Sequence, residues 1–184
     1  MTATRDLSVP VPVYTIGHST RTIPELAALL GESGIQLVAD VRAIPRSRTN
    51  PQFNLDVLPV SLEEFGMRYQ HFPELGGRRH HPRGAPPSPN TFWRNDSFRN
   101  YADYAATAPF AAGLARLRDL AEGARCAIMC SEAVWWRCHR RIISDYLLAQ
   151  GTPVMHIMGP GKIEPATLTP NAHQLSNGSL VYRA

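Results

Sequence analysis

An α/β fold, a single domain built on a mostly parallel sheet of about five strands with helices on both faces, follows from three features of the 184-residue chain. Short apolar runs alternate with segments whose apolar residues recur at helical spacing, the β-α-β rhythm of parallel sheets. Residues 35–41 (IQLVADV) lack the alternation of a half-exposed strand and read as a strand buried on both faces. The length suits one ordinary domain and hardly two, so residues 1–12 are expected to be a flexible N-terminal tail and residues 13–184 the domain.

The elements follow in order. Residues 13–17 (VYTIG) predict the first strand. A helix over 23–30 places apolar positions 23, 26, 29 and 30 on one face, with Thr22 as its cap ahead of Pro24 and Glu25, and Gly31 and Gly34 as its stop. The second strand, 35–41, closes a β-α-β unit. A short helix at 61–65 leads to a third strand at 67–72. Residues 73–95 (PELGGRRHHPRGAPPSPNTFWRN) are too polar and too broken for core structure, and a loop of that length is more often functional than a mere connector. Helices over 97–106 and 109–120, a strand at 125–130, one helix over 135–149, a strand at 153–158 and an edge strand at 180–182 complete the reading.

Hydrophobic residues at 43% against 18% charged exclude a wholly disordered chain. No stretch approaches the roughly 18 uninterrupted apolar residues of a membrane span, and the start lacks a signal-peptide pattern. The expectation is a cytoplasmic protein without a membrane partner. Three cysteines, an odd number, argue for thiols rather than a disulfide framework. The net charge of +4 is carried almost wholly by arginine, Lys162 being the one lysine. Arginine's planar fork suits phosphate and carboxylate, although a G+C-rich genome produces the same bias. Neither a cofactor nor an oligomeric state is signalled.

In parallel α/β sheets ligands bind beyond the carboxyl ends of the strands. Polar residues gather there: His18 and Ser19, Asp40 with Arg42, Arg46 and Ser47, Gly76, Gly77 and Arg78, Cys130 with Ser131 and Glu132, and His156. Residues 130–141 (CSEAVWWRCHRR) are the sharpest local feature. A cysteine just before a helix N-terminus is favoured as thiolate, so Cys130 reads as a nucleophile or redox thiol, or else as a small hydrophobe ending a buried strand. His139 and Cys138 share the inward stripe of the expected helix, where His139 is either a base acting with Cys130 or Glu132 or a hydrogen-bonded structural group. Glu132 is either an acid/base or a helix cap. A metal site is not expected, because C-x7-C-H is no usual zinc spacing and adjacent helical residues diverge. A phosphate-cradling loop is weakened by an arginine one residue late for C-x5-R and by the bulk of Val134, Trp135 and Trp136.

Two basic loops, Arg42, Arg46 and Arg48 and then Arg78, Arg79 and Arg83, have Phe92, Trp93, Phe98, Tyr101 and Tyr104 near them in sequence. The mixture can grip phosphates and stack bases, or it is a solvated face over core aromatics. Two functions follow from it. One is an enzyme acting on a small anionic substrate of nucleotide, base or nucleic-acid type; the other is a non-catalytic module that binds nucleic acid or another ligand through the arginine-rich loops.

The segments YTIGHS, DVRAIPRS, YQHFPELGG, FRNYADY and CSEAVWWRCHRRII together resemble the bacterial domain-of-unknown-function family 488, from about Tyr14 to Tyr182. By matching position the resemblance points to His18, Ser19, Asp40, Arg42, Pro45, Ser47, Phe53, Gly76, Gly77, Tyr101, Cys130, Glu132, Cys138, His139 and Arg140. It implies an enzyme-like Cys/Glu/His site and names no substrate. Ala166, in EPATLT, stands where many members carry a histidine, which leaves His173 or His156 to substitute for it. The expected catalytic group is therefore Cys130, Glu132, His139 and His18. Ser19, Asp40, Arg42, Ser47, Gly76, Gly77, Arg78, Tyr101 and Arg140 are the expected substrate-binding residues.

Overall fold

The structure, a computed structural model, describes residues 10–184, so most of the expected N-terminal tail lies outside the described residues. The chain runs β1 (Val13–Gly17), α1 (Ile23–Glu32), β2 (Leu37–Asp40), α2 (Leu58–Glu63), β3 (Arg68–His71), α3 (Asp96–Ala105), α4 (Ala108–Gly123), β4 (Cys126–Cys130), α5 (Arg140–Ala149), β5 (Val154–Gly159), β6 (Lys162–Pro165), β7 (Ala172–Gln174) and β8 (Leu180–Tyr182). One sheet has the order β3-β2-β4-β1-β5-β6. Strands β1 to β5 are parallel and β6 joins β5 antiparallel.

Local chemistry accounts for much of this. Thr22 and Glu25 form a reciprocal capping box at the start of α1, the threonine hydroxyl accepting from the Glu25 N–H and the carboxylate accepting from the Thr22 N–H. Gly34, at φ 64°, supplies the left-handed turn that ends the helix region. Both β2 and β4 are buried along their whole length, as central parallel strands must be.

Side-chain alternation along β4 divides the core. Cys126 and Ile128 pack with Phe110, Leu114 and Leu117 of α4 and Ile142 and Tyr146 of α5. Ala127 and Met129 pack with Leu26 and Leu30 of α1 and Leu58 and Leu62 of α2. Each fully buried leucine or isoleucine contributes about 1.5–3 kcal/mol, so both helical layers are anchored. Cys130, next in the alternation, points to the α5 side. Asp40, at the end of β2, points to the other.

The structure departs from the expected elements in four places. The sheet gains a sixth strand, β6, from the tail. The expected edge strand 180–182 pairs with β7 in a separate two-stranded sheet instead of joining the main one. The long loop opens with a 3-10 turn, Pro73–Leu75, that packs on α4. The helix expected over 135–149 is broken into a 3-10 turn, Trp135–Arg137, an extended Cys138 (φ −126°, ψ 148°) and α5. Tertiary contact overrides propensity there: Trp135 stacks on His156 of β5 with ring centroids 4.4 Å apart, which turns the chain away from a helical path. Among the described residues no helix is long and apolar enough to cross a membrane.

Candidate functional site

The carboxyl ends of β1, β2 and β4 open into a cleft of about 630 Å³, a size typical of small-ligand sites. Close backbone packing shapes its floor. The N–H groups of His18 and Ser19 donate to the carbonyls of Cys130 and Ser131, so the ends of β1 and β4 stay in register beyond the sheet. A β-carbon on Gly17 would collide with the Glu132 carbonyl, which makes glycine obligatory there. Ser19 adopts a left-handed backbone (φ 51°), a conformation that costs a non-glycine residue about 1 kcal/mol or more and clusters at functional sites.

On the α1/α2 side, Arg42 is a fixed cation. Its Nε and Nη2 donate to the fully buried carboxylate of Asp40, and Nη2 also donates to the Phe53 carbonyl. The Tyr69 hydroxyl donates to the same carboxylate at 2.6 Å. Burial works against the Arg42 charge, and the ion pair with Asp40 outweighs it. The remaining guanidinium nitrogen, Nη1, faces Nε2 of His18 at 3.3 Å. His18 stacks on Phe53 and lies 2.8 Å from the Ser19 carbonyl through Nδ1, so Nδ1 carries the proton and Nε2 accepts from Arg42. Burial lowers the His18 pKa to about 4, and the Arg42 charge acts in the same direction. His18 is thus a neutral imidazole.

On the α5 side, three chemically active atoms converge. The ligand atoms of Cys130, Cys138 and His139 all lie within 4.8 Å of one another. His139 places Nδ1 3.6 Å from the Cys138 sulfur and 3.9 Å from the Cys130 sulfur. Its Nε2 lies 2.8 Å from the Val41 carbonyl and donates there, which leaves the Nδ1 lone pair facing the two sulfurs. Arg140, 1% exposed, donates from Nε to the Cys138 sulfur at 3.3 Å and from Nη2 to the Glu132 carbonyl. The Arg140 N–H, one of the donors left free in the first turn of α5, also donates to the Cys138 sulfur at 3.5 Å.

These contacts reverse the expected order of the thiols. The helix begins after Cys138, so its N-terminal donors serve Cys138 and not Cys130. Burial pushes the Cys138 thiol up, but the hydrogen bond with Cys130 and the donors and charge of Arg140 bring it down to about 6. Cys130, hydrogen-bonded to Cys138 and buried, is pushed up to about 12.

Of the expected site residues, Cys130, Glu132, His139, His18, Ser19, Arg42, Ser47, Gly77, Arg78 and Tyr101 line the cleft. Asp40, Gly76 and Arg140 stand behind its walls. Asp40 holds Arg42, Gly76 packs on the Ala43 backbone, and Arg140 holds Cys138. Glu132 is exposed at the rim. The Ser47 hydroxyl accepts from the Asn50 N–H, and the buried Tyr101 hydroxyl donates to the Leu75 carbonyl. His156 is buried on Trp135 and His173 is exposed on β7, so neither reaches the cleft. Trp93 is core, whereas Phe98, stacked on it, reaches the cleft wall. Cys138, Arg46 and Ser131, which the sequence places near the rim but not in the expected catalytic or substrate-binding groups, line the site, as does Arg137. Cys138 joins the group because it is extended and precedes α5 rather than lying within a continuous helix.

The fold and site define an α/β protein with a cationic cleft at the strand ends and a cysteine–histidine group in its wall. The chain belongs to the family described as Domain of unknown function DUF488, whose profile matches residues 22–147. Neither the curated proteins nor the solved structures provide a match.

Proposed function

We propose that the protein is an enzyme acting on a small anionic substrate of nucleotide or nucleobase type, with the Cys130–Cys138–His139 group as its reacting centre. The observation that carries this reading is the placement of that group on the wall of an open cleft whose other walls bear arginines. Arg42 supplies a rigid positive charge beside neutral His18. Arg46, Arg78 and Arg137 line the cleft and form no ion pair among the described residues, so their guanidinium forks are available to phosphate or carboxylate. Phe98 offers an apolar face of the kind a base stacks on. Glu132, at the rim, is the carboxylate placed for proton transfer with solvent.

A concave cleft of this volume suits a small ligand better than a duplex, which favours the enzyme over a nucleic-acid-binding module. Calorimetric titration with nucleoside mono- and diphosphates, pyrophosphate and free bases tests the reading. Phosphorylated ligands bind, Arg46→Ala/Arg78→Ala weakens them about tenfold or more, and Cys138→Ser abolishes turnover of the bound ligand while leaving its binding intact. Binding of oligonucleotides alone, with steep salt dependence and indifference to Cys138→Ser, would overturn it.

A further inference from the structure

We infer that Cys130, Cys138 and His139 form a three-ligand site for a thiophilic divalent metal ion, zinc above all, with its fourth position open to the cleft. This deepens the functional reading above and rests on it only in taking this group as the reacting centre.

The geometry is that of a ligand set before the ion arrives. Zinc bound tetrahedrally at about 2.3 Å from sulfur and about 2.0–2.1 Å from nitrogen requires neighbouring ligand atoms about 3.5–3.8 Å apart. The two sulfur-to-Nδ1 distances here are 3.6 and 3.9 Å. The imidazole is oriented as a ligand should be: Nε2 donates to the Val41 carbonyl, which fixes the tautomer and presents the Nδ1 lone pair to the shared point. The N–H groups of Arg140 donate to the Cys138 sulfur and would neutralise part of a ligating thiolate's charge.

The ligands are also held in place. Cys130 ends a strand buried along its whole length, and Cys138 is 3% exposed. Gly77 lets the loop backbone lie against the imidazole, where a β-carbon would come within 2.5 Å of Nδ1. The expectation that adjacent Cys138 and His139 diverge fails because Cys138 is extended and only His139 begins the helix. Two sulfurs and an imidazole select zinc over magnesium, calcium or manganese. All three residues line the cleft, so the open position faces the substrate space, as in catalytic zinc sites with three protein ligands and unlike closed structural ones. A water or a substrate oxygen would fill it.

The test uses the full chain, purified without chelator and with its thiols kept reduced, assayed for metal by mass spectrometry and then stripped and titrated with Co²⁺. The expected result is about one equivalent of zinc as purified. Co²⁺ then gives the near-ultraviolet thiolate-to-cobalt band and the intense visible absorption of a tetrahedral site, both displaced by Zn²⁺. Cys138→Ser and His139→Ala weaken Co²⁺ binding by about tenfold or more, while Cys126→Ala, at the far end of β4, binds as the parent does. Circular dichroism reports whether each variant is folded, and the wild-type titration decides the matter even if none is. A stripped wild-type protein that gives no thiolate-to-cobalt band, or a band that persists in the Cys130→Ser/Cys138→Ser variant, would overturn the inference. Anion titration of the stripped protein runs in parallel. Anion binding without a metal site overturns this inference alone, and a metal site without anion binding overturns the functional reading alone.

Discussion

A β-carbon on Gly77 would lie 2.5 Å from Nδ1 of His139, so the long loop presses its bare backbone against the imidazole that faces Cys130 and Cys138. Gly77→Ala must displace one or the other. Overpacking of this kind costs about 1–3 kcal/mol, and the loss falls on the geometry of the site as well as on stability. The expected result is a lower urea midpoint together with altered alkylation rates at Cys138 and Cys130. An alanine variant with the parent's midpoint and the parent's cysteine reactivity would show that the contact is not made.

The Asp40–Arg42 pair is buried and tied to Tyr69 and to the Phe53 carbonyl. Removing one partner of such a pair leaves a buried charge uncompensated and costs about 3–5 kcal/mol. Arg42→Met is therefore expected to destabilise strongly, and the Asp40→Asn/Arg42→Met double variant to recover part of the loss. Urea denaturation of the four proteins of the cycle measures the coupling. Additive losses would mean that the pair stabilises nothing beyond its separate residues.

Tyr101 separates two roles of one side chain. Its hydroxyl donates to the Leu75 carbonyl at 2.7 Å, while its ring meets the His139 ring edge-on at 5.0 Å. Tyr101→Phe keeps the ring and leaves a buried carbonyl without its partner, a loss of about 1–3 kcal/mol. Thermal unfolding should register that loss while ligand affinity in the cleft stays unchanged. A fall in affinity with stability preserved would place the hydroxyl in ligand binding instead.

Stability should decline in mild acid through the buried histidines. Burial lowers the His156 pKa from 6.5 to about 4, with the Arg140 charge acting in the same direction, and the side chain is 1% exposed. Between those two values the unfolded chain binds more protons than the folded one, so stability is full above about pH 6.5 and is lost as the pH falls toward 4. Urea midpoints measured from pH 7.5 to 4.5 should fall accordingly, and His156→Gln should flatten the slope. A slope unchanged by that substitution would exclude His156 as its source.

Local patterns carried what depends on neighbours in the chain. The β-α-β rhythm, the capping box of α1, the doubly buried second strand and the gathering of polar residues at strand ends were all legible, because hydrophobic periodicity and end-capping are decided within a few residues. The same local information allowed one helix over 135–149 and an edge strand on the main sheet at 180–182. Contacts distant in sequence decided otherwise: Trp135 stacks on His156, and β8 finds β7. The direction of His139 illustrates the division most clearly. Its ring is set by the Val41 carbonyl, 98 residues away, and by the bare backbone of Gly77. The amino-acid sequence alone determined that cysteine, histidine and arginine would stand at one rim of an α/β sheet. Only tertiary packing decided that Cys138 would leave the helix, take the donors of Arg140 and meet Cys130 and the imidazole, since side-chain direction at a helix start depends on contacts that periodicity does not encode.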